Sequence, residues 1–188
     1  NEYAGVYETC NRIGSSTFPG ENVELFKIKA LTPLFTERSA RAFTQSAPDL
    51  DSRSCETSVL AFMDVAMIPD DAEFARRLPE ILDMENFVSL FLTVNFTGNF
   101  DGRATNFILG HHPDGKYFFV PWDYDKTFLP DGRTLRIMNA LSARAWRTMP
   151  EFQDSVKSRW QALRENGAAL DEAMLMNRVS RASDLLSP

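Results

Sequence analysis

Apolar residues fall in short, β-favouring runs early in the chain and recur at helical spacing over most of the rest. Residues 2–10 and 23–30 read as strands of a small sheet, joined by a turn-rich stretch from Gly14 to Gly20. Residues 31–54 are polar and carry Pro33 and Pro48 with several Ser, Asp and Arg, the signature of a loop or irregular connector. From Thr57 the pattern turns helical: Val59, Leu60, Phe62, Met63 and Ala66 form one apolar face that ends at Pro69. A second helix is expected to start after Asp70 or Asp71 and to be interrupted at Pro79. The third is the clearest, with Asp83 as N-cap and Phe87, Leu90, Phe91 and Val94 at i, i+3, i+4 and i+7. It delivers the chain into Asn95 to Arg103, where Gly98 and Gly102 permit a tight loop.

Two apolar runs follow, Phe107-Ile108-Leu109 and Tyr117-Phe118-Phe119-Val120, separated by His111-His112-Pro113-Asp114-Gly115-Lys116. An Asp-Gly between two such runs predicts a β-hairpin. The stretch Lys126 to Thr148 has no clean periodicity; it reads either as a substrate-facing loop or as a surface loop with a short amphipathic helix around Ile137 to Trp146. Pro150 opens a helix carrying Phe152, Val156, Trp160 and Leu163 on one face and stopped by Gly167, and a last helix runs from about Leu170 to Leu185. Trp160 reads as a packing anchor between these helices. The fold class is α+β: a small sheet before residue 55, mainly helices after it, and a hairpin over 107–120.

Composition keeps this reading within globular proteins. A hydrophobic share of 44% and 15 Phe supply a core, and 188 residues suit one domain or slightly more. No apolar run reaches transmembrane length, and neither an initial Met nor a signal-peptide pattern is present, so the chain reads as a processed or excised piece. A net charge of -6 speaks against general nucleic-acid binding and is compatible with basic protein partners. Cys10 and Cys55 are too few for a disulfide framework or a zinc site and read as two separate buried thiols, with pairing in an oxidising compartment as the alternative. His111 and His112 read as loop residues, because adjacent side chains point apart and only Asp114 accompanies them at ligand spacing.

The chemistry lies in Asp101-Gly102-Arg103-Ala104-Thr105-Asn106 and, beyond the hairpin, Pro121-Trp122-Asp123-Tyr124-Asp125. One carboxylate stands five residues before an Asn; two strands then lead to a second carboxylate. This is the layout of a phosphoryl-transfer site, in which the first Asp takes the proton of the attacking hydroxyl and the Asn and second Asp hold magnesium. Antiparallel pairing would bring Asn106 and Asp123 together, and magnesium needs only one or two hard protein oxygens beside its waters and the phosphates. The same residues also suit plain structural duties, Asp101 and Asn106 shaping a turn and Asp123 capping. Lys27 and Lys29 are either phosphate-approaching or solvent-facing lysines of a strand. Arg103 suits orientation of Asp101, contact with a phosphate, or a surface ion pair.

In these residues the chain resembles the CotH family, atypical kinases named after a spore-coat protein. Gly5-Val6-Tyr7, Leu25-Phe26-Lys27, the Asp101-to-Asn106 loop, Gly115-Lys116, Pro121-Trp122-Asp123-Tyr124-Asp125 and Arg159-Trp160-x-x-Leu163-Arg164 carry the likeness, in order and over most of the chain. The resemblance implies a reduced kinase-like fold, with residues 1–54 a partial N-terminal lobe and connector and 55–188 a helical C-terminal lobe containing the catalytic loop and hairpin. It implies ATP with Mg2+ or Mn2+, transfer to Ser or Thr of a protein, and a spore-coat, cell-surface or secreted setting. An alternative is a kinase-like surface adhesion or binding protein with little or no turnover. By position Asp101 is the catalytic Asp, Asn106 and Asp123 are the metal ligands, and Asp125 is an additional or alternative ligand. Lys27, Asn11 and Arg103 are the candidates on the nucleotide side. Asn11 departs from the pattern, standing where the family commonly carries Glu, and the Lys-rich segment expected before Gly5-Val6-Tyr7 is not in this chain.

Overall fold

The computed structural model describes residues 13, 17–18, 22–28, 35–48, 54–103, 105–113, 115–124, 127–128 and 139–186. Among them the fold is mixed α+β, a four-stranded antiparallel sheet and six α-helices. The strands are β1 (Glu24–Ile28), β2 (Phe43–Ala47), β3 (Phe107–His111) and β4 (Tyr117–Pro121), in the order β2-β1-β3-β4. Strands from both sides of residue 54 therefore pair in one sheet, with Lys27 of β1 opposite Ile108 of β3. The expected strand over 2–10 and Cys10 lie outside the described residues.

β2 corrects the reading of residues 31–54 as a connector. Phe43-Thr44-Gln45-Ser46-Ala47 is short and half polar, so its own sequence carries a weak strand signal. Pairing supplies the rest: Phe43 opposes Ile28, Leu25 opposes Ala47, and a register shift between Leu25 and Phe26 leaves Ser46 out of the pairing. The Ser46 hydroxyl then donates to the Leu25 carbonyl at 3.2 Å.

The sheet's alternation divides its side chains between two clusters. Phe26, Ile28, Phe43, Phe107, Leu109, Tyr117 and Phe119 face the helices, while Val23, Leu25, Ala47 and Ile108 bury a smaller cluster on the other side, flanked by Phe118, Val120 and Trp122. The larger core is built on phenylalanines. Phe119 touches Phe62, Phe87 and Phe107 with ring centroids 6.2, 5.6 and 5.3 Å away, and Phe87 stacks on Phe152 at 4.9 Å. Each fully buried ring of this size contributes about 1.5–3 kcal/mol relative to exposure.

Helices α1 (Glu56–Ala66) and α3 (Met84–Thr97) follow the expected faces, and the Asp83 carboxylate caps α3 by accepting from the Asn86 N–H at 3.0 Å. Helix α2 (Asp71–Ile81) runs through Pro79 instead of stopping there. The proline falls in the last turn, where one missing hydrogen bond is tolerable, and Leu82 still bonds to Leu78 at 2.9 Å. Helices α4 (Ala140–Thr148), α5 (Pro150–Arg164) and α6 (Glu172–Leu186) complete the chain. Trp160 of α5 packs on Phe96 of α3 with centroids 6.0 Å apart.

Two features lock α3 to the hairpin. The Asp83 N–H donates to the Tyr117 carbonyl at 2.8 Å. The Asn86 amide pairs with the backbone of Phe119, donating to its carbonyl at 2.9 Å and accepting from its N–H at 2.6 Å. An asparagine thus satisfies the free edge of β4, and the helix leading to Asp101 is held in register with the strands leading to Asn106 and Asp123.

His111 is a strand residue and not a loop residue. It ends β3 opposite Glu24, its Nδ1 lies 2.8 Å from a Glu24 carboxylate oxygen, and its ring stacks on Tyr117 at 4.0 Å. Glu24 is only 5% exposed, and burial alone would raise its carboxyl. Hydrogen bonds with His111, Ser58 and Cys55, and the charge His111 carries when protonated, outweigh that and hold the carboxyl below its ordinary 4.5. Burial, with the Glu24 charge, pushes Tyr117 up to about 12, and its hydroxyl donates to the Ser58 carbonyl at 2.7 Å. A carboxyl depressed in the folded state stabilises above its unfolded pKa, and this is lost as the pH falls through the folded value. Glu24→Gln is therefore expected to be less stable than wild type at neutral pH, with the gap closing below pH 4.5. Urea unfolding across a pH series checks this; a gap that stays constant into acid would rule out the Glu24 carboxylate charge as its origin.

Candidate functional site

The chain leaves α3 at Gly98, whose φ of 67° is the left-handed conformation that ends helices. The Gly98 and Asn99 N–H groups both bond to the Val94 carbonyl, and a 3-10 turn then spans Asp101–Arg103. Asn99 is fully buried beneath this turn. It accepts the Gly102 N–H twice, at 2.9 Å through its side-chain oxygen and at 3.0 Å through its carbonyl. A Cβ on Gly102 would stand 3.1 Å from both Asn99 Cγ and Val94 Cγ2, tight enough that both side chains would have to give way. Asp101 is half-buried, and its carbonyl receives the N–H groups of Thr105 and Asn106 at 2.9 and 3.3 Å. The loop thus closes on itself between Asp101 and the start of β3.

On the other side of the hairpin, the Trp122 N–H continues the ladder to the Asn106 carbonyl at 3.0 Å. The Asn106 side chain then reaches Asp123, seventeen positions away, donating from Nδ2 to its carbonyl at 2.6 Å. Asp123 has φ 57°, a left-handed conformation that Asp tolerates better than most residues, and its side chain is exposed. Because Nδ2 donates, Oδ1 is the free oxygen of Asn106; it accepts the Thr105 hydroxyl at 3.1 Å and keeps a second lone pair. Asn106 is 9% exposed, so the amide is held by contacts on both of its atoms.

Asn106 and Asp123 are therefore neighbours, with Asp101 at the head of the same loop. The Lys27 ammonium sits 3.9 Å from the centre of the Trp122 ring, partly covered on the outer face of the sheet, so it is a cation seated on an aromatic and not a freely solvated lysine. Asn11, Asp125 and the side chain of Arg103 lie outside what the structure describes. Sequence reasoning did not single out Asn99, Thr105 or Tyr124 individually. Tyr124 follows Asp123; burial pushes its phenol up to about 12, against a smaller opposing hydrogen bond with the Asn99 side chain. Nothing in local periodicity marks Asn99 or Thr105, whose roles arise only from the folded loop.

The donor set suits a hard cation. An amide oxygen with a spare lone pair and an exposed carboxylate meet the one- or two-ligand demand of magnesium when phosphates supply further oxygens. Among the described residues no group of three or more His, Cys, Asp or Glu is arranged to hold a metal ion, so these residues form no all-protein cage. Nor, among the described residues, is any helix long and apolar enough to cross a membrane.

The fold and site define an α+β protein in which a helix packed on the core presents an Asp–Asn loop to the base of a hairpin. A protein-family model described as CotH kinase protein matches residues 1–188, and the chain belongs to that family. Family membership points to a kinase, with ATP as the implied nucleotide. No curated protein matches the chain.

Proposed function

We propose that this chain transfers the γ-phosphate of ATP to a Ser or Thr hydroxyl of a protein. The observation that carries the reading is the 2.6 Å contact from Asn106 to Asp123, which joins the Asp101 loop to the base of the hairpin. Asp101 would accept the hydrogen of the acceptor hydroxyl and orient its oxygen for attack. Asn106 through Oδ1 and Asp123 through its carboxylate would hold Mg2+ or Mn2+, with Asp125 as an additional or alternative ligand. When bound, the metal supplies neutralisation of charge on the β- and γ-phosphates. Lys27, whose ammonium is anchored on the Trp122 ring next to Asp123, would meet phosphate oxygens. Arg103 and Asn11 are further nucleotide-side candidates by their place in the sequence. Such a site accelerates through positioning and electrostatics, not covalent chemistry.

In this reading residues 1–54 and 55–188 take the parts of the two lobes of a reduced kinase-like fold, and the chain's net charge of -6 favours a basic acceptor protein. The test is ATP-dependent incorporation of labelled phosphate into protein, with magnesium or manganese and with a chelator as control. Metal-dependent labelling of Ser or Thr is the expected result. Nucleotide binding without any transfer would instead support the binding or adhesion protein on a kinase-like scaffold.

A further inference from the structure

Of the 15 phenylalanines, all but Phe96, Phe100 and Phe128 are buried or half-buried, and these three stand around the Asp101 loop. Phe96 lies in the last turn of α3, Phe100 immediately precedes Asp101, and Phe128 follows Asp123 in the next stretch of chain. Phe128 is 65% exposed, yet it is held in place. Its N–H donates to the Thr97 carbonyl at 2.7 Å, and its ring meets Phe96 edge-on at 5.6 Å. Its φ of 53° is left-handed, a strained conformation for a bulky residue. Phe96 also packs on Trp160, and with Leu92, Leu163 and Leu170 these two rings wall a cavity of about 260 Å3 between α3 and α5. That is below the roughly 300–1,000 Å3 of small-molecule pockets and suits one large side chain. Arg159 borders the cavity, and the Arg164 guanidinium lies 5.5 Å from the centre of the Trp160 ring. Neither arginine has an ion-pair partner among the described residues.

Resting on the phosphotransfer reading above, we infer that this aromatic shelf and its cavity are a docking site for the acceptor protein, taking a large apolar side chain with an acidic residue beside it. Exposed apolar patches rimmed by charge mark interaction sites, and this one adjoins the proposed chemistry. It starts at the residue before Asp101, so a segment that presents its hydroxyl there has the shelf beside it. Phe96 is five residues from Asp101, at most about 17 Å of chain. An extended acceptor therefore reaches the cavity within about five residues of its Ser or Thr. One buried apolar anchor of this kind carries much of the energy of a small interface. The two unpaired arginines complement an acid next to that anchor. The net charge of -6 acts on the acceptor as a whole, whereas the arginines act within a Debye length of about 8 Å, on the residues at the cavity.

The test uses synthetic peptides with a central Ser in an Ala-rich background. Phe, Leu or Ala is placed at each position up to five residues away, with Asp or Lys beside it. Wild type should phosphorylate the best Phe or Leu peptide with a kcat/KM about tenfold above its Ala counterpart, mostly through KM, and should prefer Asp to Lys. Phe128→Gly should lose the apolar preference and keep the wild-type rate on the Ala peptide. Because glycine relieves the left-handed strain, its urea midpoint should stay near that of wild type. Arg159→Glu alters an exposed side chain and should reverse the choice between Asp and Lys with the fold unchanged. Fluorescence anisotropy of the labelled best peptide, without ATP, reads binding apart from transfer and should weaken about tenfold in both variants. Transfer by wild type without positional preference, or preferences unchanged in both variants, would overturn the inference and leave the phosphotransfer reading standing. A dimer in sedimentation that Phe128→Gly abolishes would assign the patch to a second copy and overturn it as well. No transfer from ATP to any peptide or protein would overturn the phosphotransfer reading, and a peptide still bound through Phe128 would then be a ligand and not an acceptor.

Discussion

Asp101→Asn is expected to keep nucleotide and metal affinity and to lose phosphate transfer by roughly a hundred- to ten-thousand-fold, the contribution of a well-placed general base. The substitution leaves the loop intact, because the loop is held by the Asp101 carbonyl, which accepts the Thr105 and Asn106 N–H groups, and not by the carboxylate. The backbone of Gly102 is likewise fixed from below by Asn99. Paired measurements on wild type and variant, nucleotide affinity by calorimetry and transfer by labelled phosphate, separate the possible roles. Transfer at the wild-type rate would remove Asp101 from the chemistry and favour the scaffold reading. Loss of nucleotide binding together with transfer would make it a ligand or a structural residue.

The sequence pattern led to this loop because each of its supports is local. The helix from Met84 to Thr97 has a capping Asp and a clean apolar face, and the hairpin has two β-rich runs about a Gly-containing turn. Given those two elements, antiparallel register brings residue 106 opposite 122, and the Asn106 side chain reaches on to 123. What escaped the pattern depends on distant partners. β2 is a strand because β1 pairs with it, not because Phe-Thr-Gln-Ser-Ala favours extension. His111 and Glu24 lie 87 positions apart, and no spacing rule connects an imidazole in one strand with a carboxylate in another. Asn99 is the same case, ordinary in sequence and distinctive only once buried beneath the Asp101 turn. Lys27 falls between: its strand was legible, but the ring beneath its ammonium was not.

Asp123 tests the metal assignment, provided the backbone effect is kept apart from the carboxylate effect. At φ 57° an Asp-to-Ala change removes a ligand and also places a less tolerant residue in the left-handed region, at a cost of about 1 kcal/mol. Asp123→Gly removes the same carboxylate without that strain. Both variants are expected to lose metal-dependent nucleotide binding, while only Asp123→Ala should also lose measurable stability. The Asn106 bond survives in both, because it goes to the Asp123 carbonyl and not to its side chain, so the fold should stay otherwise unchanged. Nucleotide titrations with magnesium and with chelator, alongside urea unfolding, read the two effects separately. If Asp123→Gly binds nucleotide with wild-type affinity and the same metal dependence, Asp123 is not a ligand. The metal would then have to be held through Asn106 and Asp125.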